Sequence, residues 1–156
     1  MCYSCIRAHR RAPRKDSPLN YEIVVSSEAS QQDLAAIVAP LSEYNQQNGP
    51  PPNFLKVALL LKGPDQKAVG GLWGRAAYDW LFVEYLAVPA ELRRAGLGRA
   101  LMQKAEQIAI EHGCIGVWLD TFAFQALPFY EKLGYQRFGQ LDNPRGSTRY
   151  FLKKNL

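Results

Sequence analysis

Long hydrophobic runs are missing from this chain of 156 residues: no apolar stretch approaches the ~20 residues needed to cross a bilayer. The opening segment, Met1 to Ser17, is basic and also lacks a continuous apolar stretch, so it does not read as a secretory signal. A cytoplasmic location with no membrane partner is the expectation. Cysteine is scarce as well, with three in all, which excludes a disulfide framework. Cys2 and Cys5 have the C-x-x-C spacing of a zinc or redox site. A structural zinc site needs a second ligand pair, which Cys114 and two scattered histidines do not supply, so no metal is expected. Internal repeats and low-complexity tracts are absent too.

Charge of one sign is short everywhere except at one end. Arg7, Arg10, Arg11, Arg14 and Lys15 against Asp16 give the first 18 residues a net charge of +4. The remaining 14 basic and 13 acidic residues nearly cancel. A nucleic-acid partner is therefore not indicated for the folded part, although a basic leader could serve an adaptor. Residues 1–18, with prolines at 13 and 18, read as a flexible leader before a single domain spanning 19–156. A hydrophobic share of 47% with 21% charged residues is ordinary for a soluble globular domain.

What the chain does contain is a glycine-bearing loop between a strand and a helix: Leu86-Ala87-Val88, then Arg93-Arg94-Ala95-Gly96-Leu97-Gly98-Arg99. Glycines let the backbone curl and approach a ligand closely. The first turn of the following helix presents amides without intrahelical partners at the positive end of the dipole. Together they form a site for a phosphate or pyrophosphate. A dinucleotide fingerprint would need a third glycine where Leu101 stands, and the nucleotide-hydrolase loop G-x-x-x-x-G-K-[ST] occurs nowhere. A glycine-softened turn that binds nothing remains the alternative for the loop taken alone.

Periodicity predicts a first strand over Tyr21–Ser26, then a helix capped by Ser30 and running to about Gln47, with Pro40 inside it. Strands follow over Phe54–Lys62, Lys67–Ala77 and Trp80–Val88. The cradle helix spans Leu97 to His112, with Leu97, Leu101, Ala105, Ile108 and Ala109 on its core face. A buried strand, Cys114–Asp120, precedes Gln125-Ala126-Leu127-Pro128-Phe129-Tyr130-Glu131-Lys132-Leu133-Gly134-Tyr135, where Gly134 suits the residue just past a helix end. A final hairpin joins Tyr135–Leu141 to Thr148–Lys153. The fold class is α/β (α+β), a mixed, mostly antiparallel sheet of six to seven strands with helices on both faces.

The R-x-x-G-x-G loop and the F-Y-E-K-L-G-Y run, in that order, resemble the two hallmarks of the GNAT superfamily of N-acetyltransferases. The resemblance covers the chain from roughly Tyr21 to its end, and the Q-A-L-P-F-Y-E-K-L-G-Y stretch and the closing R-Y-F-L-K-K run look like uncharacterised bacterial members. It implies a V-shaped cleft between the fourth and fifth strands, where acetyl-coenzyme A lies as cosubstrate. Leu86, Ala87 and Val88 would pair with the pantetheine arm. The amides from Arg94 to Arg99 (Ala95, Gly96, Leu97 and Gly98 between them), with Arg93 beside them, would hold the pyrophosphate. By position Tyr130 would protonate the leaving thiolate. Glu84 is the candidate base for a primary amine attacking in a ternary complex, with Asp120 or water as the alternative. Many family members carry an asparagine where this chain has Ala123; Gln125 is the candidate substitute.

The acceptor is expected to be a small-molecule or peptide amine. Trp73, Arg75, Tyr78, Trp80, Phe122 and Phe124 are candidate aromatic and polar lining near Asp79, Glu84 and Asp120, a combination suited to a cationic amine. The same loop would also serve an acyl-coenzyme A sensor without turnover, and another acyl group is open. The closing hairpin offers an edge for a homodimer.

Overall fold

The computed structural model describes residues 21–156; Cys2, Cys5 and the basic leader lie outside the described residues. The chain divides into two units, one ending at Glu43 and one comprising Tyr44–Leu156. Helix α1 (Gln31–Asn48) opens with a reciprocal cap: the Asp33 amide donates to Ser30 Oγ at 3.2 Å and the Ser30 amide to Asp33 Oδ2 at 2.8 Å. The expected strand over Tyr21–Ser26 does not form. Ile23 and Val25 are almost wholly exposed, and the segment has no ladder partner among the described residues. An apolar triplet without a neighbouring strand leaves its backbone groups to solvent, so periodicity alone does not make a strand there.

The second unit holds β1 (Leu55–Lys62), β2 (Ala68–Ala77), β3 (Trp80–Ala87), α2 (Leu97–Glu111), β4 (Gly116–Phe122), α3 (Leu127–Lys132), β5 (Gln136–Leu141) and β6 (Arg149–Asn155). The six strands form one sheet in the order β1-β2-β3-β4-β6-β5. Every neighbouring pair is antiparallel except β3 and β4, whose connection through α2 forces them parallel. One sheet face carries Val57, Leu72, Ala76, Leu81, Val83, Val117, Leu119 and Leu152. Met102, Ala105 and Ala109 of α2 and Tyr130 of α3 close over them to make the core. Of the stripe read from the cradle helix, Leu101, Ala105, Ile108 and Ala109 pack here, while Leu97 stays outside the core and Met102, which was not in the stripe, is wholly buried. No helix among the described residues is long and apolar enough to cross a membrane.

Two irregularities position the site. The parallel pairing of β3 with β4 runs only from Trp80↔Gly116 to Val83↔Leu119. Beyond that row the strands part, and residues 84–87 of β3 have no ladder partner on that edge. This is the V that the sequence placed between its fourth and fifth strands; with Tyr21–Ser26 not a strand, they are β3 and β4. The second irregularity is a bulge in β3: Trp73 pairs with Tyr85 but Gly74 pairs with Val83, leaving Glu84 as the extra residue. A bulge reverses the in–out alternation beyond it, so Leu86 joins the core while Leu81 and Val83 do so before it.

At the closed end of the V, Trp80 lies where a Cβ on Gly116 would collide with its ring and would sit 2.8 Å from the Lys154 carbonyl oxygen. Gly116→Ala is expected to lower stability by about 1–3 kcal/mol through overpacking, read as a lower urea midpoint. An unchanged midpoint would show that Trp80 moves aside freely.

Candidate active site

Strand β3 runs through Val88 and Pro89 into a single 3-10 turn (Ala90–Leu92) and then the glycine loop. The Leu92 amide donates to the Pro89 carbonyl and the Arg93 amide to the Ala90 carbonyl. The Arg93 side chain turns back, its Nε donating to the Val88 carbonyl at 3.1 Å. Arg93 therefore fastens the loop to the end of β3. Arg94 and Gly96 both have left-handed backbones, φ 67° and 82°. Such reversals turn successive amides toward one side and build an anion-binding concavity. The next internal bond is from the Ala100 amide to the Gly96 carbonyl. Between them, the amides of Arg94, Ala95, Gly96, Leu97, Gly98 and Arg99 donate to no protein acceptor among the described residues. Six consecutive free donors, four of them at a helix start, are the outstanding feature of the site.

The two glycines do different work. Gly96 supplies the left-handed turn, and a Cβ there would meet nothing. Gly98 is a packing position: its Cβ would come within 3.3 Å of the Phe129 ring. Its bareness seats the first turn of α2 against α3.

Helix α3 is short and ends with Gly134 at φ 91°, as the sequence required. It buries the Tyr130 ring, edge-on to Phe129 and Tyr135. The Tyr130 hydroxyl has no hydrogen-bond partner among the described residues, yet it is not sealed off from solvent. Burial, and then the nearby charge of Asp120, push its phenol up to about 12. It is neutral at any physiological pH. Behind it the Tyr135 hydroxyl donates to Glu106 Oε1 at 3.0 Å, while Lys154 Nζ lies 2.7 Å from Glu106 Oε2. This buried triad ties α2 to the chain entering β5 and to β6, and it pushes the Tyr135 phenol upward too, by burial first and Glu106 second.

At the fork of the V, Glu84 and Asp120 are the residues immediately beyond the last paired row. Each has an arginine from the next strand outward. Arg75 Nε stands 3.3 Å from Glu84 Oε1, without forming a hydrogen bond, and Arg149 Nε donates to Asp120 Oδ1 at 2.6 Å. That bond raises the Arg149 guanidinium above its ordinary value. Below them Phe82 and Trp118 stack at 3.9 Å as an aromatic floor. Trp73 is half exposed and pairs across the ladder with Tyr85 near the mouth. Phe122 and Phe124 stack at 5.4 Å on the far side of the fork.

The other sequence candidates sit elsewhere. Trp80 is at the closed end of β3, beside Trp118, Phe138, Phe151 and Lys153. Tyr78 and Asp79 form the turn at that same end, both left-handed. Gln125 spends its carbonyl on its own loop, accepting from Thr121 Oγ1 and the Phe122 amide, and only its amide nitrogen is left to face a ligand. The Val88 carbonyl already accepts from Arg93, which leaves its N–H as the group free of a partner among the described residues. Arg149 escaped the sequence reading; an arginine opening an apolar strand gives no hint of its partner across the sheet.

These features are those of acyl-transfer enzymes. The acetyltransferase (GNAT) family profile matches residues 25–135. The chain is 33% identical over 118 residues to the acetyltransferase Atu2258 of Agrobacterium fabrum, covering 76% of this chain and 86% of that one. It is 42% identical over 96 residues to blasticidin-S acetyltransferase of Streptomyces morookaense, covering 60% and 71% respectively. A crystal structure from Agrobacterium tumefaciens superposes with a TM-score of 0.83 at 31% identity, over 87% of this chain and all of the other. The chain belongs to the GNAT family and is an acetyltransferase.

The tyrosines give a direct check on the buried geometry. Folding raises the Tyr130 and Tyr135 phenols, so above their ordinary value near 10 the unfolded chain loses those protons first and stability falls as pH rises. For Tyr130 the loss between pH 10 and 11 is about 1 kcal/mol. Denaturation midpoints at the two pH values should differ less in Tyr130→Phe than in the parent; an identical drop in both would place the ring in water.

Proposed function

We propose that the protein transfers an acetyl group from acetyl-coenzyme A to a primary amine by direct attack within a ternary complex. The observation that carries this reading is the run of six unpartnered amides, Arg94 to Arg99, at the end of an unpaired strand edge. The donors suit a diphosphate in number and in sign. Along the open edge, alternate residues of 84–88 point their N–H and C=O groups away from β2, where an extended amide-bearing arm can add as a strand. One of the amides of Leu86, Ala87 or Val88 polarises the acyl carbonyl. Acetyl-coenzyme A supplies the activated thioester.

The fork residues handle the protons. A lysine-like amine, with pKa about 10.4, arrives charged. As the C–N bond forms and the C–S bond breaks, the ammonium sheds two protons, of which one balances the departing thiolate. Glu84 takes the other and passes it to solvent. Its contact with Arg75 is loose, whereas Asp120 is committed to Arg149 by a short hydrogen bond, so Glu84 is the better base and Asp120 the better anchor. Tyr130, kept protonated because burial and then Asp120 hold its phenol up, gives its proton to the departing thiolate and regains one of the two the ammonium sheds. Until then it donates a hydrogen bond to the sulfur as negative charge develops. Gln125, through its amide nitrogen, and the Arg93, Arg94 and Arg99 side chains supply further contacts to the cosubstrate.

The relatives include an enzyme named for blasticidin S and, at 43% identity over 54 residues, the glucosamine 6-phosphate N-acetyltransferase of Trypanosoma brucei brucei. Both names support a small-molecule amine as acceptor here.

Thiol release from acetyl-coenzyme A, followed with a panel of amines, tests the reaction. Saturable release is expected with at least one class of amine. Tyr130→Phe should lower kcat about 100-fold while the acetyl-coenzyme A Kd stays within about twofold. An unaltered kcat removes Tyr130 from the chemistry, and binding without release across the panel removes turnover itself.

A further inference from the structure

The charges at the fork do not stop at two carboxylates. Across the outer sheet face they run Arg75, Glu84, Asp120, Arg149, in the order positive, negative, negative, positive, on four adjacent strands. Each carboxylate is therefore largely neutralised by its own arginine, which weakens the pull of this face on a bare cation. Each arginine, in turn, is only partly used. Both ion pairs go through Nε, and no terminal guanidinium nitrogen of either residue makes a hydrogen bond among the described residues. The two side chains remain 56% and 42% exposed.

The two guanidiniums are held to different degrees: Arg149 by its short hydrogen bond to Asp120, Arg75 more loosely beside Glu84. Arg75 lies over the Phe82 ring at 5.9 Å, and Arg149 over Phe122 at 5.6 Å and Phe151 at 5.7 Å. A guanidinium hydrogen-bonded through Nε and seated on aromatic faces, as Arg149 is, keeps its remaining N–H fork free for a carboxylate or phosphate. Neighbouring strands are about 5 Å apart. An amine between Glu84 and Asp120 thus brings any anionic group two or three bonds away from it within reach of Arg75 or Arg149.

We infer that the acceptor is a small amine carrying its own anionic group, a carboxylate or a phosphate, which Arg149 or Arg75 grips while the amine sits between Glu84 and Asp120. This rests on the acyl-transfer reading above and names its substrate class. A polyamine or polyamino sugar has nothing to offer the two arginines and is repelled by them. An amino acid or an amino-sugar phosphate answers both signs of charge.

Matched pairs of acceptors separate this from a general amine site. Thiol release is measured with amino acids and their carboxamides, with glucosamine 6-phosphate and glucosamine, and with spermidine. The expected result is at least one anionic member exceeding its neutral counterpart by about tenfold or more in kcat/KM. The amino-acid arm and the sugar-phosphate arm tell carboxylate from phosphate. Arg149→Met or Arg75→Met should collapse that ratio toward one, chiefly through KM, and Arg149→Lys should restore part of it. The ratio, taken within one variant, is insensitive to any general loss from the substitution. Equal or better turnover of the neutral members or of spermidine overturns the inference, as does a ratio that survives both methionine variants. No release from any of these acceptors, while another amine of the wider panel does release thiol, also overturns it; binding without release from any amine at all overturns the acyl-transfer reading instead. No heat from acetyl-coenzyme A does likewise.

Discussion

Backbone amides with no acceptor of their own are the constraint around which the rest of this structure is arranged. Four of the six, Gly96 to Arg99, are the unpaired start that any helix has, and Arg94 and Ala95 lengthen the run where a folded chain ordinarily pairs its main-chain donors. Here the loop's shape keeps them unpaired. The left-handed residues Arg94 and Gly96 turn the donors to one side, and Arg93 fastens the loop back onto Val88. Beneath it, α2 is held by its buried face and by the Tyr135–Glu106–Lys154 triad. Gly98 lets α3 lie against its first turn. Donors fixed in this way lose little freedom when an anion arrives, and so more of the interaction appears as affinity.

The second dependence is the parting of β3 and β4. A parallel pair that stops at Val83↔Leu119 leaves main-chain groups open on one side and two acidic residues at the fork. The bulge at Glu84 makes the two features compatible. It returns Leu86 to the core while Glu84 faces Arg75 on the outer side. The open strand edge and the two acidic residues thus meet at one place in the sheet, with the Tyr130 ring buried near Asp120. Asp120 has two parts here: it anchors Arg149, and it adds to the burial that raises the Tyr130 phenol.

Much of this was legible in the sequence wherever the signal was local. The glycine loop, the amphipathic stripe of α2, the Gly134 stop and the strands from β1 to β6 each announce themselves within a dozen residues. Their observed limits differ from the expected ones by only a few residues. Local signal misled at Tyr21–Ser26, where an apolar triplet has no partner strand. It was silent on anything decided across the sheet. The register slip at Glu84, which returns Leu86 to the core, and the Arg149–Asp120 pair, 29 residues apart in sequence, depend on which strands become neighbours. Trp80 was placed with the acceptor because it is aromatic and near Glu84 in sequence; it lies at the other end of the strand, over Gly116. Nothing local announces that Gly98 also makes room for Phe129, 31 residues on.

The central claim concerns particular hydrogens, and nuclear magnetic resonance observes them one at a time. In a titration of the isotopically labelled protein with coenzyme A, the amide signals of Arg94, Ala95, Gly96, Leu97, Gly98 and Arg99 should shift together and saturably. Inorganic diphosphate should reproduce the same pattern more weakly. Saturable binding that leaves those six signals in place while moving others would contradict the account.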